Sequence, residues 1–153
     1  MQFTSHQKKV QTGELVKKPW GTEEVEYADE SGEGLMVKKL TMKKGRMCSV
    51  QVHKIKKEVV TWVDGELEVI IIDPKILEVS PSKINRSSIK QAIVGKKVIN
   101  SVNDVVVITP GTVHYMSAPK GDAVYREVSL GPNETTRIFD PNASERKLEN
   151  QSN

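Results

Sequence analysis

Polar and apolar positions alternate in short runs along most of this chain, and a turn signal follows nearly every run. That is the period of half-buried β-strands, whose successive side chains leave opposite faces. Residues 24–28 alternate in this way and lead into a turn at 29–34 that carries two glycines and a serine. Leu35–Met42 reads as a strand with Met36, Lys38, Leu40 and Met42 on one face and Leu35, Val37, Lys39 and Thr41 on the other. After the turn Lys43-Lys44-Gly45-Arg46, residues 47–53 predict a strand that sets Ser49, Gln51 and His53 against Cys48, Val50 and Val52. Residues 58–63 and 66–72 form a hairpin across Asp64-Gly65, a strong tight-turn dipeptide. Val105–Ile108 reads as a buried strand, and the Pro110-Gly111 turn after it delivers His114. Ala123–Leu130 places Tyr125, Glu127 and Ser129 opposite Val124, Arg126 and Val128.

Three stretches depart from this rhythm. Residues 1–16 carry few apolar groups and no period, as a loose arm or an edge strand would. Residues 141–153 are polar and are expected to form a mobile tail. Between them, 17–140 is expected to be a single domain. Within it, 74–103 is an excursion broken by Pro81-Ser82, Asn85 and Ser87-Ser88. Short strands are open at 76–79 and 98–99 there, and a helical turn or two at 88–94. Short strands, frequent turns and few helical patterns predict an all-β antiparallel sandwich or barrel.

Composition narrows the setting. A chain of 153 residues makes one domain and buries roughly 70% of its unfolded surface, so it needs no disulfide staples. The single cysteine, Cys48, agrees with a reducing compartment. Residues 1–18 lack the apolar core of a secretory signal, and runs such as 69–72 fall far short of the ~20 residues of a membrane span. A soluble, cytoplasmic protein with no membrane partner is expected. The net charge of +3 comes from 23 basic and 20 acidic residues, and the basic pairs are spread along the chain. A clustered, aromatic-laced excess is missing, so no nucleic-acid partner is expected.

The candidate chemistry is concentrated in a few positions. Gln51 and His53 share a strand face, and Glu58 stands where the next strand begins. His114 offers a second imidazole behind Pro110-Gly111. An amide oxygen, two imidazoles and a carboxylate suit a divalent metal with open positions. A lone strand histidine is more often a hydrogen-bonded residue of a partial core. His53, however, has oxygen donors on its own face, whereas His6 has no such company.

These residues resemble the two motifs of the cupins, small double-sheet jelly rolls. The first appears as Gly45 … Gln51-Val52-His53 … Glu58 … Gly65, the second as Asp104 … Pro110-Gly111-Thr112-Val113-His114. Glutamine stands where the first histidine of an HxH pair is usual, and in this the chain resembles phosphomannose isomerases. It is similar to the isomerase domain of the bifunctional mannose-6-phosphate isomerase/GDP-mannose pyrophosphorylase family. The similarity lies in Lys18-Pro19-Trp20-Gly21, Val37-Lys38-Lys39-Leu40-Thr41, Ser49-Val50-Gln51-Val52-His53, Glu127-Val128 and Arg137-Ile138-Phe139-Asp140. It covers 18–140, interrupted by the excursion, which that family domain lacks.

The resemblance implies a double-stranded β-helix, the cupin jelly-roll barrel, with the excursion inserted. It implies one divalent metal on Gln51, His53, Glu58 and His114, with Zn²⁺ first and Mn²⁺, Fe²⁺ or Co²⁺ tolerated. The implied reaction interconverts mannose 6-phosphate and fructose 6-phosphate through an enediol. Arg137 would grip the phosphate or stabilise the enediolate, Lys56 would be a cation close to the metal, and Glu127 is the candidate general base. Lys38 and Ser49 are candidate substrate contacts. An inward Lys38 needs an anionic partner, and an outward one is equally open. Trp62 is read as core rather than a sugar platform, and Cys48 as a small buried hydrophobe. A non-catalytic metal-holding sugar binder, or a cupin of the oxygenase or epimerase type, is the alternative, and a homodimer is open.

Overall fold

The computed structural model describes residues 13–29 and 34–144. His6 and residues 145–153 of the expected tail lie outside the described residues. The described strands are β1 (Leu15–Lys18), β2 (Gly21–Ala28), β3 (Leu35–Met42), β4 (Val50–Val52), β5 (Lys57–Asp64), β6 (Leu67–Ile72), β7 (Ile93–Ile99), β8 (Val105–Ile108), β9 (Val113–Ser117), β10 (Ala123–Leu130) and β11 (Thr136–Phe139). They form a six-stranded sheet, β1-β2-β3-β10-β5-β8, and a five-stranded sheet, β11-β4-β9-β6-β7. The paired strands are antiparallel, an arrangement that can pack one face on a core and leave the other to solvent. The larger sheet sends Leu40, Met42, Val60, Ala123 and Tyr125 inward, the smaller sends Leu67, Val69, Ile99 and Met116, and together they form one core with Trp20. At the β5–β6 turn Gly65 has φ +75°, and a Cβ there would come within 2.2 Å of the Asp122 carbonyl, so only glycine fits.

A second apolar cluster lies on the other side of the smaller sheet, around Val50, Val52, Ile70, Ile72 and Val113. The excursion supplies its cover. Residues 74–92 leave the sheets as two 3₁₀ turns, Pro74–Glu78 and Pro81–Lys83, and the helix α1 (Arg86–Gln91), and 100–103 form the turn after β7. Ile76 and Ile89 are the buried anchors. The short strand open at 76–79 is a 3₁₀ turn instead, because Asp73 caps it through the Lys75 N–H and Pro74 pre-sets its first position. Asn85 caps α1 in a reciprocal capping box with Ser88. The strand at 98–99 extends back to Ile93 and pairs with β6 along its length. As an edge strand with mostly exposed side chains, β7 has no burial period to read.

Two further expectations are corrected. β8 is not a buried strand: it is the edge of the larger sheet, and Val105 and Val107 are about half exposed, at 55% and 51%. A run of β-branched residues says strand without saying which face is covered. The strand at 47–53 shrinks to β4, with Met47 held by an isolated bridge to Ser117. The break in alternation turns Cys48 toward the cavity, on the same side as Gln51. Of the two readings open for residues 1–16, the edge strand holds for the last of them, since pairing with β2 begins at Leu15.

Candidate metal centre

Between the sheets lies a cavity of about 400 Å³, and cross-strand register decides what faces it. On the smaller sheet Gln51 is opposite Arg137 of β11 on one side and His114 of β9 on the other. One row of directly opposed residues therefore carries a guanidinium, an amide and an imidazole. His53 follows β4, its carbonyl held by the Gly111 N–H at 2.7 Å. The larger sheet brings Glu58 on β5, and on β10 Glu127, which stands opposite Lys38 of β3.

His53, Glu58 and His114 converge, with donor atoms within 4.8 Å of one another. His53 Nε2 lies 2.6 Å and His114 Nε2 3.5 Å from Glu58 Oε1. Each ring's Nδ1 faces a backbone carbonyl, Glu134 O at 2.8 Å for His53 and Thr112 O at 2.9 Å for His114. A carbonyl only accepts, so each Nδ1 carries a proton, which leaves each Nε2 the atom that can offer a lone pair to a cation beside Glu58. Both Nε2 atoms and both Glu58 oxygens are buried without a hydrogen-bond donor. Buried acceptors facing one another repel unless a cation lies among them. The residues thus fit a divalent ion, and the set of two imidazoles and a carboxylate suits Zn²⁺, Mn²⁺, Fe²⁺ or Co²⁺. Gln51 lines the same cavity, and Ser49, itself buried, donates to its Oε1 at 3.4 Å.

The surrounding charges are interlocked. Without a bound cation, protons take its place: burial pushes the Glu58 carboxyl up, but hydrogen bonds from Glu127, His114 and His53 outweigh it and hold Glu58 below the usual carboxylate range. Glu127 is pushed well above that range, first by burial and then by the charge of Glu58. Some of its surface stays accessible because it lines the cavity. Lys38 faces inward and pairs with Glu23 at 2.8 Å. Burial lowers its pKa, yet the Glu23 charge and hydrogen bond raise it above the ordinary lysine value.

Lys56 is buried, at 7% exposure, and lines the cavity with Arg137. Among the described residues neither side chain has an ion-pair partner. Trp62 does not line the cavity; it packs on the core, and its Nε1 donates to the Gly65 carbonyl at 2.8 Å. Glu23, Asn133, Glu134 and Thr135 escaped the sequence reading. Glu23 sits among similar glutamates on β2, and only its register with β3 singles it out.

No family model and no curated protein matches the sequence. Solved structures do match in shape. An RmlC-like cupin from Shewanella frigidimarina shares 16% identity with a TM-score of 0.58, covering 86% of this chain and 95% of that one. The fold is that of the cupins. L-ribose isomerase from Cellulomonas parahominis superposes on this cupin barrel with a TM-score of 0.59 at 19% identity, over 75% of this chain and 62% of that one. Procruciferin, an 11S globulin from Brassica napus, does so with a TM-score of 0.57 at 16% identity, over 80% of this chain and 29% of that one. This chain therefore spans less than two thirds of either the isomerase or the globulin. An isomerase and a globulin share the barrel, so activity has to be argued from the cavity.

Proposed function

We propose that this cupin is a metal-dependent sugar isomerase acting on a phosphosugar, with mannose 6-phosphate and fructose 6-phosphate the first pair to test. One observation carries the reading: a convergent set of buried acceptors shares a cavity with two cations that lack an ion-pair partner among the described residues. The structural likeness to L-ribose isomerase supports the sugar-isomerase class. The glutamine at position 51 and the cations carry the phosphosugar part.

Gln51, His53, Glu58 and His114 would hold one divalent ion, Zn²⁺ first. When bound, such an ion polarises carbonyl and hydroxyl oxygens and stabilises the charge that develops on them. The chain's own groups do the rest. Arg137 grips the phosphate through its planar fork, and Lys56 adds a point charge. Aldose–ketose interconversion moves a proton between adjacent carbons, and Glu127 on the cavity wall is assigned that transfer. Lys38, held by Glu23, keeps a positive charge opposite Glu127 and favours its carboxylate form. Lys38 and Ser49 contact the sugar.

The test is exchange of the C2 proton of mannose 6-phosphate in D₂O, followed by NMR with and without chelator. Exchange and fructose 6-phosphate formation that stop on chelation are expected. Stoichiometric metal with no exchange of any phosphosugar sinks the isomerase and leaves a sugar-binding cupin.

A further inference from the structure

A short segment that no motif marks holds the loop between β4 and β5. Residues 131–135 connect β10 to β11, and Asn133 and Thr135 line the cavity. Between them, the Glu134 carboxylate accepts the backbone N–H groups of Ile55 at 2.9 Å and Lys56 at 3.2 Å, both at Oε1. The Glu134 backbone carbonyl accepts the Nδ1 proton of His53 at 2.8 Å. Gly131 approaches the same loop: its φ is +111°, and a Cβ there would lie 3.4 Å from the Lys56 Cα. The tip of the loop has little packing of its own, since Lys54 is exposed and Ile55 is 62% exposed. Backbone hydrogen bonds are then what sets its path.

We propose that Glu134 is a positioning residue that sets His53 and Lys56 relative to each other, bringing a metal ligand and an anion-binding cation into one register. Through its carbonyl it fixes which ring nitrogen of His53 faces Glu58, and such outer partners govern metal affinity. Through its carboxylate it fixes where the Lys56 stem enters the cavity. A phosphosugar whose reacting carbons must meet the metal while its phosphate meets Lys56 depends on that spacing. The anion half of this inference rests on the phosphosugar reading; the metal half does not.

The experiment compares the full chain with Glu134→Ala and Glu134→Gln. Co²⁺ affinity is read by competition with a chelator, and KM and kcat are read with mannose 6-phosphate. Glu134→Ala keeps the backbone carbonyl but releases the carboxylate anchor on Ile55 and Lys56 that holds this carbonyl against His53, so it is expected to bind Co²⁺ about 10-fold more weakly and to raise KM more than it lowers kcat. The glutamine variant keeps an Oε1 able to accept both N–H groups, so it restores both readings to near the parent values. Unchanged Co²⁺ affinity in Glu134→Ala overturns the inference. An alanine chain that fails to fold also overturns it, since the residue then serves the fold, and so does a glutamine variant as impaired as alanine. If the parent turns over no phosphosugar, the KM arm falls with the function proposed above, while the Co²⁺ arm still decides Glu134.

Discussion

The two sheets of the barrel face one cavity but differ in what stands behind them. The smaller sheet presents Gln51, His114 and Arg137 in a single row, and its outer side is buried under Ile76 and Ile89 of the excursion. The larger sheet presents Glu58, Glu127, Lys38 and Glu23, while its outward side leaves Val105, Val107 and Leu130 about half exposed. His114 therefore comes from the sheet packed on both faces, with His53 just past the end of its strand β4, and the carboxylates come from the sheet packed on one. Close packing on two sides leaves a strand few alternative positions. The excursion serves the site by backing the imidazole sheet; none of its residues lines the cavity.

Metal loss is the sharpest way to probe the imidazole sheet. His114→Ala should abolish stoichiometric metal binding by elemental analysis, and full occupancy in that variant would strike His114 from the ligand set. Next in size comes the covered face. Ile89→Ala should cost about 2–5 kcal/mol in urea unfolding, from lost transfer energy and the cavity left behind. If it costs no more than a surface change, the excursion is not a buttress.

The carboxylate sheet is tested by pH in chelator-treated protein. A folded pKa raised above the unfolded value, as for Glu127, gives stability that is full below the ordinary glutamate range and lost as pH rises through the raised value. Glu58 has the opposite sign: its depressed pKa gives stability present above that range and lost on acidification. The unfolding midpoint should therefore fall as pH rises above the ordinary glutamate range, and Glu127→Gln should flatten that slope. A parallel slope in the variant would place the titrating group elsewhere. The smallest effect belongs to the exposed edge, where Val105→Thr and Val107→Thr should each stay within about 0.5 kcal/mol. A larger loss there would mean that the outer face of this sheet is covered in solution.

Much of the strand plan was readable in the chain. Leu35–Met42 and Ala123–Leu130 are strands with the bounds their alternation predicts, and Val105–Ile108 is one with the bounds of its apolar run. That Gln51 and His53 share a side follows from strand parity, a local property, whereas the convergence of His53 with Glu58 and His114 needed the pairing of β4 with β9 and the packing of the two sheets. Glu134 was not readable. It acts through its backbone carbonyl and on backbone amides, which leave no side-chain pattern in a sequence. The inward turn of Cys48 was also hidden, because a break in alternation after Met47 has no compositional mark.

By itself, then, the sequence determined an alternating all-β chain and the donor types available to a metal and an anion. Those are set by the order of residues along single strands. The tertiary structure decided which strand became an exposed edge, which glutamate met Lys38, and that the excursion lies behind a sheet rather than at the mouth. Each of these depends on pairing and packing between residues far apart in the chain, and periodicity along one strand carries no record of its neighbour.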